Sequence, residues 1–149
     1  MTFNQGKRAL IAVSCLVACF ASSSGYAKAP KGRFTVDVAK GEVTDNTTGL
    51  IWRQAINPGS FTFDEAVAHC PTLGAGWRTP NVRELASIVD EANVYPSVDE
   101  DFFPGTPTAN MWSSTPEAGD VKYSWAVGFT DGGVGVVTKV TTLHVRCVR

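Results

Sequence analysis

The sequence predicts one small α+β domain preceded by a secretory signal. Four observations support this prediction. The chain has 149 residues, which suits a single domain, and its apolar N-terminal run is typical of a signal. Two middle segments begin with helix-capping residues, and the last third alternates apolar and polar residues. We therefore divide the chain into a signal peptide at 1–27, a short arm at 28–33 and a domain at 34–149.

Residues 1–27 follow the three-part order of a secretory signal. Lys7 and Arg8 form the positive region, residues 9–21 are apolar, and residues 22–27 are small and polar. The apolar run is shorter than the roughly 20 residues that a permanent membrane-spanning helix needs. We therefore expect an exported protein with no transmembrane segment after signal cleavage.

Two processing routes are open. Small residues at Gly25 and Ala27 favour cleavage that releases a mature chain beginning at Lys28. Residues 16–19 (LVAC) also resemble a lipobox, in which Cys19 would be acylated and retained as a lipid anchor. We favour the first route and keep the lipoprotein as the alternative. The protein would lie in the periplasm, on the cell surface or outside the cell.

The charge balance argues against a nucleic-acid partner. The full chain has 13 basic and 14 acidic residues, and removal of Lys7 and Arg8 leaves 11 basic residues and a net charge of −3. General nucleic-acid binders are basic. We expect no nucleic-acid partner for a mildly acidic domain.

Only two cysteines remain after the signal, Cys70 and Cys147. In an oxidising compartment such a pair usually forms a disulfide, and this spacing lacks the CxxC pattern of zinc sites. Closing so long a loop contributes at most about 4–5 kcal/mol in the chain-entropy model. We expect a disulfide rather than a metal or catalytic pair.

The first predicted elements are strands. The short, basic arm 28–33 leads into residues 34–38 (FTVDV), which alternate apolar and polar as in a half-buried strand. Residues 45–49 (DNTTG) have turn chemistry, and the apolar residues 50–52 then form a second short strand.

The first predicted helix begins at Thr62, with Glu65 three residues later completing a capping box. It ends at Cys70, because Pro71 discourages continuation. Its apolar side is formed by Phe63, Ala66, Val67 and Cys70.

The second predicted helix begins after Asn81, which is a preferred N-cap residue and is followed three residues later by Glu84. Its apolar face is formed by Val82, Leu85, Ala86, Ile88 and Val89.

An irregular stretch at 91–111 is followed by β-structure. Long irregular stretches in compact domains are usually functional or held by their own side chains, here Tyr95, Val98, Phe102 and Phe103. Residues 123–129 and 134–140 then alternate on either side of the turn 131–133 and predict a hairpin. A final strand over 143–147 would carry Cys147 and lie close to the first strand.

Five blocks of the sequence, in order, resemble the Lcl C-terminal domain family. The blocks are residues 45–52 (DNTTGLIW), 66–70 (AVAHC), 76–85 (GWRTPNVREL), 112–115 (WSST) and 145–149 (VRCVR). The resemblance covers residues 34–149. It implies a C-type-lectin-like fold with two helices, short antiparallel sheets, a long irregular loop region and adjacent N- and C-terminal strands. It also implies a Cys70–Cys147 bridge and a place among exported or surface proteins, some of which are adhesins that bind sulfated polysaccharide.

Calcium is a candidate ligand of one acidic cluster. The resemblance to lectins does not extend to the Glu-Pro-Asn type loop or the Trp-Asn-Asp triplet of calcium-dependent sugar sites, because Ser113 and Ser114 follow Trp112. Asp99, Glu100 and Asp101 could still supply oxygen ligands to a hard cation. A solvated loop face is the simpler interpretation of these three residues, and we expect no other cofactor.

Binding residues usually lie on loops held by a rigid scaffold. We therefore select Tyr95, Phe102, Lys122 and Tyr123, from the irregular stretch and the loop before the hairpin, as ligand-binding candidates. The three aromatic rings could stack on sugars. The alternative is that they fill small cores of their own loops.

The tryptophan blocks are expected to be structural. A buried indole whose N–H bonds to a carbonyl anchors loops, and an Arg–Glu pair could be buried against the second helix. The residues concerned are Trp52, Trp77, Arg78, Glu84 and Trp112.

Nothing in the sequence marks a catalytic centre. His69 and His144 are the only histidines, each near a cysteine expected to be in the disulfide. The GxSxG, HExxH and Gly-rich phosphate-loop patterns do not occur. We therefore predict a recognition or adhesion module, not an enzyme, that binds a glycan or sulfated polysaccharide through its loops. The alternative is a structural or protein-interaction subunit of the cell envelope with no small ligand.

Overall fold

The structure, a computed structural model, describes residues 30–149. The predicted signal peptide and Cys19 lie outside the described residues. The domain is a mixed α+β fold, as predicted, with two helices and two three-stranded antiparallel sheets. Its elements are β1 (Phe34–Asp37), β2 (Glu42–Asp45), β3 (Ile51–Arg53), α1 (Phe63–His69), α2 (Val82–Ser87), β4 (Asn110–Pro116), β5 (Tyr123–Gly128) and β6 (Val134–Thr138).

The first sheet has the strand order β1–β2–β3. Strand β2 was not predicted, because only Val43 among its four residues is apolar. The carboxylates at its two ends are stabilised by arginines that are distant in the sequence. Arg149 donates two hydrogen bonds of 2.9 Å to Glu42, and Arg33 donates one of 2.8 Å to Asp45. These pairs allow charged residues to occupy buried strand positions.

The C-terminal segment lies beside β3. Ile51 and Arg149 exchange two backbone hydrogen bonds of 2.9 Å, and Val148 exchanges two with Arg78. The predicted final strand is thus an extended segment with isolated bridges. The prediction of adjacent terminal strands was wrong, because β2 and β3 lie between β1 and this segment. Tight turns fold β1, β2 and β3 into a meander, which leaves β3 facing the C-terminus.

The second sheet has the strand order β4–β5–β6 and contains the predicted hairpin. Gly132, at φ +82°, provides the left-handed conformation of the turn. The sheet separates two apolar cores. Met111 and Val127 pack in one core with Leu85, whereas Trp112 and Ala126 pack in the other.

The predicted helix starts are present, and the end of α1 differs from the prediction. The backbone N–H of Thr62 donates to Glu65 Oε2 at 2.8 Å, which completes the capping box. Pro71 does not end the helical structure: α1 ends at His69, and Pro71 lies in a 3-10 turn over Cys70–Leu73 that follows it directly. Proline is tolerated there because the first N–H groups of a helical turn lack partners. Val67, placed on the apolar side by its spacing, is exposed.

Cys70 and Cys147 form a disulfide, with their Cα atoms 5.5 Å apart. The bond joins the end of α1 to the C-terminal segment and is fully buried. It lies in the second core, which consists of Ala66, Cys70, Trp77, Trp112, Ala126, Val145 and Cys147. No helix within residues 30–149 is long and apolar enough to cross a membrane.

Candidate functional site

Asp90 organises the loop that follows α2. Its backbone N–H donates to the carbonyl of Ser97 at 3.1 Å, and its carboxylate accepts hydrogen bonds from Ala92 N–H and Asn93 Nδ2, both at 3.0 Å. Asn93 Nδ2 also donates to the carbonyl of Val98 at 3.3 Å. The irregular stretch is therefore held by the hydrogen bonds of Asp90 and Asn93 and by the buried Val98 and Phe103, whereas Tyr95, which was also expected to hold it, is exposed. We call residues 91–101 the acidic loop.

Tyr95 is the single aromatic residue of the acidic loop. Its side chain is 69% exposed, and its φ of 60° lies in the left-handed region that a bulky residue rarely adopts. Its N–H donates to Thr130 O at 3.2 Å, and the N–H of Ser97 donates to Phe129 O at 2.9 Å. The ring therefore projects from a backbone that is attached, on both sides of Pro96, to the two residues that follow β5.

Three shallow cavities surround the acidic loop. One of about 240 Å³ is lined by Asn93, Val94, Pro96, Val98, Asp99, Glu100 and Asp101. A second of about 540 Å³ is lined by Pro30, Lys31, Gly32, Phe34, Asp99, Asp101 and Phe102. A third of about 410 Å³ is lined by Glu91, Ala92, Val94 and Asp131. The first two share Asp99 and Asp101, so they lie on either side of the same acidic turn.

The carboxylates of this turn differ in burial. Asp99 is buried and accepts the backbone N–H of Asp101 at 3.1 Å, whereas Glu100 and Asp101 are exposed. Among residues 30–149, no group of three or more His, Cys, Asp or Glu side chains is arranged to hold a metal ion. The calcium hypothesis for these three residues stays a prediction.

Phe102 lies in a small aromatic cluster below the loop. Its ring centroid is 5.2 Å from that of Phe34, and Phe34 makes an edge contact of 5.3 Å with Phe103. Phe102 is half-buried and lines the largest of the three cavities. It thus takes part in the apolar core and also presents one side to the cavity.

Lys122 and Tyr123 form a separate surface at the start of β5. The N–H of Lys139 donates to the carbonyl of Lys122 at 2.9 Å, so the two lysines face each other across the hairpin. Tyr123 is 38% exposed. The four sequence-selected ligand residues therefore divide between two regions: Tyr95 on the acidic loop with Phe102 below it, and Lys122 with Tyr123 at this basic end of the hairpin.

The two histidines have structural surroundings. The His69 ring lies 4.7 Å from the Phe61 ring, and its buried Nε2 lacks a hydrogen-bond partner. His144 Nδ1 lies 3.1 Å from the carbonyl oxygen of Gly59. The absence of enzymatic activity stays a prediction.

The tryptophan blocks pack against backbone and arginine side chains. Trp112 Nε1 donates to the carbonyl of Phe61 at 2.8 Å, which attaches β4 to the segment before α1. Trp77 is buried, with the Arg149 guanidinium 4.9 Å from its ring centre. Trp52 is fully buried in the first core, and its Nε1 has no partner among the described residues.

Arg78 and Glu84 form a pair, but the pair is not buried as predicted. Both guanidinium Nη atoms lie 2.7 Å from Glu84 oxygens, and the Arg78 side chain is 46% exposed. The reason is that α2 begins at the surface, where Arg78 and Glu84 flank the cap residue Asn81.

Arg146 is a structurally important residue that the sequence analysis did not select. It is fully buried and donates to the carbonyls of Arg53 and Gln54 and to Thr106 Oγ1, the last at 2.8 Å. Its guanidinium also lies 5.0 Å from the ring centre of Phe103. Burial lowers the pKa of Arg146 to about 10, because the apolar surroundings disfavour its charge. Arg146 joins the end of β3 to the loop that leads into β4.

These features define a small, disulfide-closed α+β domain that presents a long loop, attached at both ends, on its surface. The family model described as the Lcl C-terminal domain matches residues 41–149. The chain therefore belongs to the Lcl C-terminal domain family. No curated protein matches the chain at a significant level.

Proposed function

We propose that this protein is an exported recognition module that binds a glycan at the acidic loop. The observation that carries the proposal is Tyr95, a largely exposed ring at φ 60° on a backbone bonded to the turn that follows β5. Unfavourable backbone conformations in ordered structure cluster at functional sites. A backbone held in place also loses little conformational entropy when a ligand stacks on the ring that it carries.

The surroundings of Tyr95 suit a sugar. Val94 beside it is also exposed, and the neighbouring cavities are shallow and lined by carboxylates that can accept hydrogen bonds from hydroxyl groups. Five carboxylates, from Glu91, Asp99, Glu100, Asp101 and Asp131, line these cavities, with Lys31 the one basic lining residue. This charge favours neutral or amino sugars at the acidic loop.

A sulfated polysaccharide would suit the other surface. Lys122 and Lys139 face each other across the hairpin, Lys139 Nζ lies 4.7 Å from the centre of the Phe63 ring, and the exposed Tyr123 follows Lys122 in the chain. Paired basic residues next to an aromatic ring provide charge attraction and stacking together. We therefore keep sulfated polysaccharide binding at Lys122 and Tyr123 as the second candidate.

Export and a C-type-lectin-like fold are part of the same proposal. The buried disulfide supports export, because such bonds persist in oxidising compartments. The two helices, short sheets and long loop support the finer fold. Cell fractionation of the parent and of a Cys19→Ala variant distinguishes a released protein from a lipid-anchored one. A protein found only in the cytoplasm would overturn the export part of the proposal.

The test is a binding screen of the oxidised protein against neutral, amino and sulfated glycans, with calcium and again with chelator. We expect binding to neutral or amino glycans, weakened roughly fivefold by Tyr95→Ala, since a stacked ring contributes about 1 kcal/mol. Tyr123→Ala is the matched control. Loss of binding in chelator would add Asp99, Glu100 and Asp101 as metal ligands.

The other outcomes are equally informative. Binding of sulfated glycans alone, lost in Lys122→Ala and unchanged in Tyr95→Ala, would move the site to the hairpin. No binding to any glycan would overturn the proposal. It would leave a protein-interaction subunit of the envelope as the leading interpretation.

A further inference from the structure

Strand β6 forms an open edge of the second sheet. Gly128 N–H donates to Gly133 O at 2.7 Å, and Lys139 N–H donates to Lys122 O at 2.9 Å. In an antiparallel pair, residues bonded to the neighbour alternate with residues whose N–H and C=O groups point away. Val134 and Val136 are therefore the residues that direct backbone groups outward. Within residues 30–149, no strand pairs with this edge.

The chemistry of this edge is unusual for a monomer. Val134 and Val136 are 49% and 45% exposed, and the strand Val134–Thr138 (VGVVT) contains no charged residue and no proline. Edge strands are normally protected by charges, prolines or bulges, since unprotected edges pair with other chains. Exposed apolar residues are also frequent around it. Among residues 30–149, half of the ten exposed large apolar residues lie between positions 121 and 140: Val121, Tyr123, Val134, Val136 and Val140.

The charges that flank β6 indicate what covers it. Asp131 precedes the strand, and Lys139 follows it. A second copy running antiparallel would place Asp131 of each copy opposite Lys139 of the other. A copy running parallel would bring like charges together. The edge is therefore complementary to itself in one direction only.

We propose that β6 pairs antiparallel with β6 of a second copy, about a two-fold axis at Gly135, to give a symmetric dimer with one continuous sheet. In this register Val134 of one copy bonds Val136 of the other through both N–H and C=O. Gly135 faces Gly135, and the opposite charges of Asp131 and Lys139 are paired. A shift of one residue would place the outward-pointing backbone groups of one copy opposite residues of the other copy whose backbone groups point toward β5, so no hydrogen bonds would form.

The first test measures association of the oxidised protein by sedimentation over a concentration series. We expect a monomer–dimer equilibrium that Val136→Lys weakens at least tenfold, because the lysines of the two copies would repel each other near the axis. Val38→Lys is the matched control, since Val38 is 83% exposed at the end of β1. A parent protein that stays monomeric, forms a different oligomer, or loses association equally in both variants would overturn the proposal.

The second test reports the register. Facing residues that are not hydrogen bonded lie about 4.5 Å apart between Cα atoms, which is within disulfide range. A Cβ at Gly135 would meet nothing within 4 Å, so Gly135→Cys leaves the fold undisturbed. We expect rapid covalent dimerisation of this variant under mild oxidation, and little with Val38→Cys. Equal cross-linking of the two variants would contradict the register.

A charge exchange separates the ion pairs from the strand pairing. Lys139→Asp should weaken the dimer, and adding Asp131→Lys should restore it, because the exchanged charges are again opposite across the interface. Thermal unfolding of each variant, followed by circular dichroism, verifies that it is folded. A folded double variant that associates no better than Lys139→Asp would refute the antiparallel arrangement.

Discussion

Arg78, Asn81 and Glu84 form a small polar cluster at the start of α2. Glu84 accepts two hydrogen bonds of 2.7 Å from Arg78 and one of 2.8 Å from the N–H of Asn81. The Arg78 bonds are the largest cause of a lowered pKa at Glu84, and the same pair raises the pKa of Arg78. Because Arg78 is about half exposed, solvent screening keeps the contribution of the ion pair to about 1 kcal/mol or less.

This cluster predicts a pH-dependent stability. A carboxylate whose pKa is lowered on folding stabilises the protein above its ordinary pKa of 4.5, and that stability is lost as the pH falls through the folded value. Glu84→Gln should therefore reduce the free energy of unfolding at pH 7 by about 1 kcal/mol. The difference from the parent should shrink below pH 4.5. Urea unfolding across this range measures it, with exposed Glu100→Gln as control. A difference that does not change with pH would contradict the assignment.

The burial of certain charged residues could not be predicted from the sequence. Arg146 looks like an ordinary polar residue beside Cys147, and its hydrogen-bond partners lie 93, 92 and 40 positions away. Glu42 depends in the same way on Arg149, which is 107 positions distant. Local pattern assigns such side chains to the surface, since isolated charges are costly to bury. Only the three-dimensional structure identifies the groups that compensate them.

At the scale of elements, α2 depends strongly on its cap. Asn81 Oδ1 accepts the backbone N–H groups of Arg83 and Glu84, both at 2.9 Å, in a helix of only six residues. Short helices have little stability of their own, so the cap and the packing of Leu85 maintain this one.

Asn81→Ala should lower the free energy of unfolding by about 1 kcal/mol, because two N–H groups lose their acceptor. Asn81→Ser, which can still accept, should lose much less. Guanidinium unfolding of the two variants and the parent measures the difference. Equal stability of Asn81→Ala and the parent would show that water satisfies these groups equally well.

Elements with local signals were predictable, and those defined by distant partners were not. Both helices have capping residues at Thr62 and Asn81, and the hairpin has its turn glycines. By contrast, β2 offers a single apolar residue, and the pairing of β4 with β5 shifts register between Trp112 and Pro116, which interrupts the alternation of β4. Of the candidate site, Tyr95 was selected from the sequence, but its exposure was not, since filling a core of its own loop was an equal alternative. Its φ and its bond to Thr130 depend on the folded sheet.

At the scale of the molecule, the second sheet is the central layer. Each of its faces packs against a separate apolar core, one with α2 and the aromatic cluster, the other with α1 and the disulfide. The acidic loop is attached to this sheet through Phe129 and Thr130. The loop surface and the β6 edge are therefore presented by the same layer, which explains how one small domain can offer two distinct surfaces.

The disulfide is the covalent connection across the second core. Cys70 and Cys147 are 77 positions apart and fully buried, and Asn57 Nδ2 donates to Cys147 Sγ at 3.2 Å. Closing so long a loop restricts the unfolded chain, which raises the stability of the folded state by about 2–4 kcal/mol. Joining the end of α1 to the C-terminal segment also keeps that segment beside β3, where Ile51 and Arg149 bond.

Replacing both cysteines by alanine should therefore lower the free energy of unfolding by roughly 2–4 kcal/mol, and reduction of the parent should have a similar effect. Urea unfolding of parent, reduced parent and double variant measures this loss. The slope with urea should rise in the two forms without the bond, because their unfolded chains are less compact. A double variant as stable as the oxidised parent would mean that packing alone holds α1 against the C-terminal segment. In that case the bond would contribute little to the fold that presents the acidic loop.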